Sequence, residues 1–138
     1  MKRLETTPRR TLVLLVDEHA DRLALNTLAL SASGFDVVSA KDGAEAYRRV
    51  WQTLPDIIVT QLPMPHYDGR EFLNELKQSS VTRNIPVVAL SGYVHEPVRE
   101  PPQHEGFAAF FTAPCLPDEL SEGLRQVLER KTHAAAGW

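Results

Sequence analysis

The chain reads as a doubly wound α/β sandwich built on a five-stranded parallel sheet, and three observations carry that reading. Thr11 to Val16, Ile57 to Thr60 and Val87 to Leu90 are continuous apolar runs rather than alternating ones, the pattern of strands covered on both faces. Stretches of helical period lie between them, so strand and helix alternate at short spacing. Turn and capping residues fall at the joints. A right-handed crossover at each step then lays helices on both faces of one sheet.

The elements follow in order. Thr11 to Val16 is the first strand, and the first helix carries Leu25, Leu28, Ala29 and Ala32 on its apolar face before Gly34 closes it. Asp36 to Ala40 is the second strand. Asp42 and Glu45 have the spacing of a capping box, and Ala46, Tyr47, Val50, Trp51 and Leu54 form the apolar face of the second helix. After the third strand, Asp68 and Glu71 repeat that spacing ahead of Phe72, Leu73 and Leu76. Val87 to Leu90 is the fourth strand. A fourth helix is due over Tyr93 to Glu105, but Pro97, Pro101 and Pro102 interrupt it, and an interior proline costs about 3 kcal/mol. That helix is expected to be short or irregular, at most a turn beginning at Pro101 or Pro102. Phe107 to Thr112 is the fifth strand. The last helix has Leu116 where a capping residue would precede Pro117, and Gly123 in its interior costs about 1 kcal/mol.

These units span residues 11–130 as one domain, with a flexible leader over 1–10 and a flexible tail over 131–138. The 138 residues, 43% hydrophobic and 24% charged, suffice for a core without disulfides or metal. The longest apolar run, Leu12 to Val16, is too short to cross a bilayer. Lys2, Arg3, Arg9 and Arg10 make the leader basic, but Asp17 and Glu18 follow too closely for a signal peptide. A cytoplasmic protein with no membrane contact is expected. The lone Cys115 permits no internal disulfide and has no basic neighbour to activate it. A net charge of -3 gives no general attraction to nucleic acid, and the basic leader is read as a solvated terminus.

In doubly wound folds the functional crevice lies beyond the carboxyl ends of the strands. Asp17, Glu18, Gln61, Ser91 and Ala113 collect there. The segments carrying them are Val16-Asp17-Glu18, Pro55 to Gly69, Val87 to Gly92 and Gly106 to Pro114. Together these resemble the receiver domain of response regulators in two-component phosphorelay signalling, over about residues 11–130. The resemblance implies a flavodoxin-like sheet of order 2-1-3-4-5. It also implies that Asp17 and Glu18 match the acidic pair that holds a divalent cation, and that Ser91 matches the hydroxyl that bonds the phosphoryl group. Phe110 matches an aromatic residue that toggles between buried and exposed states.

Two departures stand out. Gln61 occupies the place of the aspartate that takes the phosphoryl group, and Ala113 the place of the pocket lysine. A carboxamide has no anionic oxygen to attack phosphorus and forms no acyl phosphate. The two losses cancel in charge, because Asp17 and Glu18 alone carry the same net charge as three carboxylates and a lysine. Gln61 also offers a neutral carbonyl where magnesium favours charged oxygens, so magnesium binding is expected to be weak or absent.

The sequence therefore points to a pseudo-receiver: no enzyme, no catalytic residue, no cofactor, and a phosphorylation-independent role in signalling through protein–protein interaction. The broken fourth helix puts the family's usual dimer surface in question. A protein partner or a second copy of the chain is expected to dock on that segment, with Tyr93, Pro97, Pro101 and Pro102 as contacts. Two other readings compete. A receiver phosphorylated at Asp17 or Glu18 would lack the lysine that stabilises developing charge, and Asp56 and Asp68 look structural. A small-ligand binder in the same crevice has no glycine-rich loop to support it. His19, His66 and His95 at the same edge lack metal-motif spacing and are read as solvated loop residues.

Overall fold

Alternate side chains along each strand point to opposite faces of the sheet. Here both faces are buried: Val13, Leu15, Ile57, Val59, Val88 and Leu90 line one, and Leu14, Val16, Ile58, Val87 and Ala89 the other. The computed structural model describes residues 9–62, 69–91, 106–112 and 116–135. Strands β1 (Leu12–Val16), β2 (Asp36–Ala40), β3 (Ile57–Gln61), β4 (Val87–Ser91) and β5 (Ala109–Thr112) pair in parallel in the order β2-β1-β3-β4-β5. Helices α1 (Ala20–Ala32) and α4 (Pro117–Ala135) cover the first face through Leu30, Leu120, Leu124 and Val127. Helices α2 (Gly43–Thr53) and α3 (Gly69–Lys77) cover the second through Ala46, Val50, Phe72, Leu73 and Leu76. This is the flavodoxin-like arrangement expected. The segment of the expected fourth helix lies outside the described residues, so α4 is the chain's last helix.

Local chemistry sets the ends of the helices. Asp42 caps α2, its side chain accepting the Glu45 N–H at 2.7 Å, while Glu45 reaches back to the Lys41 N–H at 2.9 Å. The reciprocal bond thus lands one residue before the cap. After α1, Gly34 adopts a φ of +103°, the left-handed turn that glycine makes without a Cβ penalty. The Gly34 and Phe35 N–H groups then bond the Ser31 and Leu30 carbonyls at 3.1 Å each, a Schellman closure. The Asp68 cap lies outside the described residues.

Several expectations need correction. Leu25 and Leu28 do not face the core; they are 68% and 69% exposed, and Ala32 is exposed too. The packed positions of α1 are Leu23 and Leu30. Leucines at 23 and 30 lie on one side of α1 and those at 25 and 28 on the opposite side, so periodicity had no unique face to select, and packing against the sheet and α4 chose one. Leu54 is not inside α2 but forms its C-cap, half-exposed and left-handed at φ 47°, with Trp51 partly exposed against Tyr47.

The leader is not wholly solvated. Arg9 pairs with Asp56 at 2.8 Å, and Arg10 donates to the Gly34 and Phe35 carbonyls at 3.0 and 3.2 Å, where the α1 C-terminus presents negative charge. The tail is shorter than expected, because α4 continues to Ala135. Gly123 is a packing requirement: a Cβ there would come within 2.6 Å of Phe111 Cε1. Leu116 lacks a capping side chain, but Glu119 supplies one by accepting the Leu116 N–H at 3.1 Å.

Candidate functional site

The order of the sheet reverses across the β1–β3 pair, where doubly wound folds place their sites. Val16 is in register with Thr60, so the residues that follow, Asp17 and Gln61, sit side by side at the carboxyl edge. Both are buried, at 2% and 5% exposed. A buried carboxylate requires charge or hydrogen-bond partners, and Asp17 has three. Its Oδ1 accepts the His19 N–H at 2.8 Å, which bends the chain into α1. The Arg22 guanidinium supplies the other two, from Nε to Oδ2 at 3.0 Å and from Nη2 to Oδ1 at 2.9 Å. This bidentate fork is the strong form of the Arg–carboxylate pair.

The same Arg22 Nη2 donates to Gln61 Oε1 at 3.1 Å, and that oxygen also accepts the Glu18 N–H at 3.1 Å. One guanidinium therefore clasps the end of β1, the end of β3 and the first turn of α1. The charge balance drawn from Asp17 and Glu18 alone has to be corrected for Arg22, which makes the pocket one unit less negative. Glu18 itself is exposed. His19 is exposed and acts as the N-cap of α1, its Nδ1 accepting the Arg22 N–H at 3.5 Å.

The remaining expected residues are placed as follows. Ser91 ends β4 in register with Thr112. Phe110 is half-buried against the α2–α3 core, its ring centroid 6.4 Å from that of Phe107. Ala113 lies outside the described residues, as do Tyr93, Pro97, Pro101, Pro102, His66, His95, Asp68 and Cys115. Among the described residues no group of three metal-ligating side chains converges. Asp56 is structural and far from the pocket, at the other end of β3, where it accepts the Leu12 N–H at 2.8 Å and pairs with Arg9.

Arg22 is the site residue that sequence reasoning missed. A signal for it exists: a cation in the first turn of a helix opposes the helix dipole, so it needs a nearby anion, and Asp17, Glu18 and Asp21 all precede it within 5 residues.

The sheet order and the acid buried at its switch point define a flavodoxin-like α/β domain whose site lies at the carboxyl edge. The chain belongs to the response regulator receiver domain family, whose model matches residues 13–125. It is 30% identical over 118 residues to the phosphate regulon transcriptional regulatory protein PhoB of Escherichia coli, covering 86% of this chain and 52% of PhoB. Identity to the transcriptional regulatory protein PrrA of Mycobacterium tuberculosis is 33% over 130 residues, covering 94% of this chain and 54% of PrrA. The chain thus spans about half the length of these curated relatives. A response regulator from Desulfuromonas acetoxidans superposes with a TM-score of 0.76 at 34% identity, over 86% of this chain and 97% of that one. No described helix is long and apolar enough to cross a membrane.

Proposed function

We propose that the chain is a pseudo-receiver, a phosphorylation-independent signalling module that acts by binding a protein partner. The observation that carries this reading is Gln61. It ends β3 where the resemblance calls for the phosphoryl acceptor, and its side-chain oxygen is already held by Arg22 and the Glu18 N–H. Acyl-phosphate formation needs a carboxylate oxygen in line with the donor, which a carboxamide lacks. Asp17 is a poor substitute because both of its oxygens are engaged by Arg22. The relatives are named as transcriptional regulators, but the chain matches only half their length. We assign it the signal-reception half of such a role, as a cytoplasmic module without catalytic activity whose partner is a protein, a second copy included. A net charge of -3 argues against direct nucleic-acid binding.

The test is incubation with acetyl phosphate and Mg²⁺, followed by intact-mass spectrometry and amide NMR. Unchanged mass and spectra are expected. A stoichiometric gain of one phosphoryl group, lost on changing Glu18 to Gln, would replace this reading with that of a receiver using a displaced acceptor.

A further inference from the structure

The resemblance to receivers implies a divalent cation held by the acidic pair, and the donor atoms at this pocket do not suit one. A hard cation needs several oxygen lone pairs at short range, preferably anionic and free to reorient. Asp17 Oδ1 and Oδ2 are both occupied by Arg22, and Oδ1 also by the His19 N–H. From β3 the neutral Gln61 Oε1 reaches this pocket, and it already accepts two hydrogen bonds. A guanidinium within 3.1 Å of both residues would repel an incoming dication. Two of its bonds already join the ends of β1 and β3.

We propose that Arg22 is a tethered replacement for the metal ion, a built-in cation that joins Asp17 to Gln61 and completes the pocket without magnesium. Metal binding by this pocket is then suppressed by Arg22 and not only by the loss of an acid at position 61. The proposal deepens the pseudo-receiver reading by naming the group that holds the pocket in one fixed state. It also ranks Arg22 above the loss of the acid at position 61. Restoring an acid at 61 leaves Arg22 beside it as a counter-ion, so the acid alone does not recreate a metal site.

The experiment is a Mn²⁺ titration followed by paramagnetic broadening of the amide signals of Glu18 and Gln61, on four proteins: wild type, Arg22→Ala, Gln61→Asp and the double variant. Wild type and Gln61→Asp are expected to bind weakly and alike. Arg22→Ala should bind more tightly, and the double variant tightest, by roughly tenfold or more over Gln61→Asp as repulsion is lifted and a carboxylate gained. Binding by Gln61→Asp as tight as by the double variant would overturn the proposal, as would equal affinity in wild type and Arg22→Ala. If Arg22→Ala does not fold in chelator, refolding on adding Mg²⁺ supports the proposal. In that case Arg22→Gln, which keeps a neutral donor for Asp17, carries the titration, and its failure to bind Mn²⁺ better than wild type overturns it. The two readings fail separately: phosphoryl uptake by wild type would end the pseudo-receiver reading, while only the metal titration decides Arg22.

Discussion

Replacing Arg22 by Ala is the most direct probe of what holds this pocket together. The substitution removes both guanidinium bonds to Asp17, leaving a carboxylate only 2% exposed with the His19 N–H as its remaining partner among the bonds described. Stripping one partner from a buried pair costs roughly 3–5 kcal/mol, most of it the penalty of an uncompensated charge. Arg22 is itself 27% exposed, so water replaces part of what it supplied, and the expected loss is about 2–3 kcal/mol. For a domain of this size that lowers Tm by roughly 6–12 °C. Urea unfolding followed by circular dichroism, in chelator, measures the change, with the denaturant slope unchanged if the fold is intact. Pairing Arg22→Ala with Asp17→Asn should recover part of the loss, giving a coupling of about 1 kcal/mol or more. A loss under about 0.5 kcal/mol, with no coupling to Asp17, would refute the clasp.

Five other substitutions test separate parts of the structure. Gly123→Ala gains about 1 kcal/mol of helix propensity but drives a methyl group into the Phe111 ring; a net loss of about 1–2 kcal/mol is expected in urea unfolding, relieved by adding Phe111→Leu. Leu54→Gly relaxes a left-handed residue that is half-exposed and should raise stability by roughly 0.5 kcal/mol, a small upward shift in thermal midpoint. Asp56→Ala removes the acceptor of the Leu12 N–H and the partner of Arg9; a loss of about 1–2 kcal/mol is expected, with Asp56→Asn closer to wild type in the same assay. Leu25→Lys and Leu28→Lys lie on the exposed side of α1 and should each leave stability within about 0.5 kcal/mol of wild type; a larger loss in either would place that leucine against the core.

Where neighbouring residues carry the information, the sequence by itself determined the outcome. The apolar runs at 12–16, 57–60 and 87–90 are strands buried on both faces, because an uninterrupted run leaves no polar side to turn outward. Asp42 caps α2, and Phe72, Leu73 and Leu76 all face the core, since each depends only on spacing within a single helix. The carboxamide at 61 was visible as well, and so was the chemistry it denies. Tertiary structure alone decided which side of α1 turns inward, since a helix with leucines on two opposite sides has no preferred face until one pair, Leu23 and Leu30, joins the core formed with the sheet and α4. It also turned Gly123 from an apparent weak point into the gap that admits Phe111. Above all it decided the charge of the pocket. Arg22 lies 5 residues from Asp17 and 39 from Gln61 along the chain, and only the β1–β3 register brings the three together. A long flexible side chain finds its partners by distance in space, which spacing along a chain does not encode.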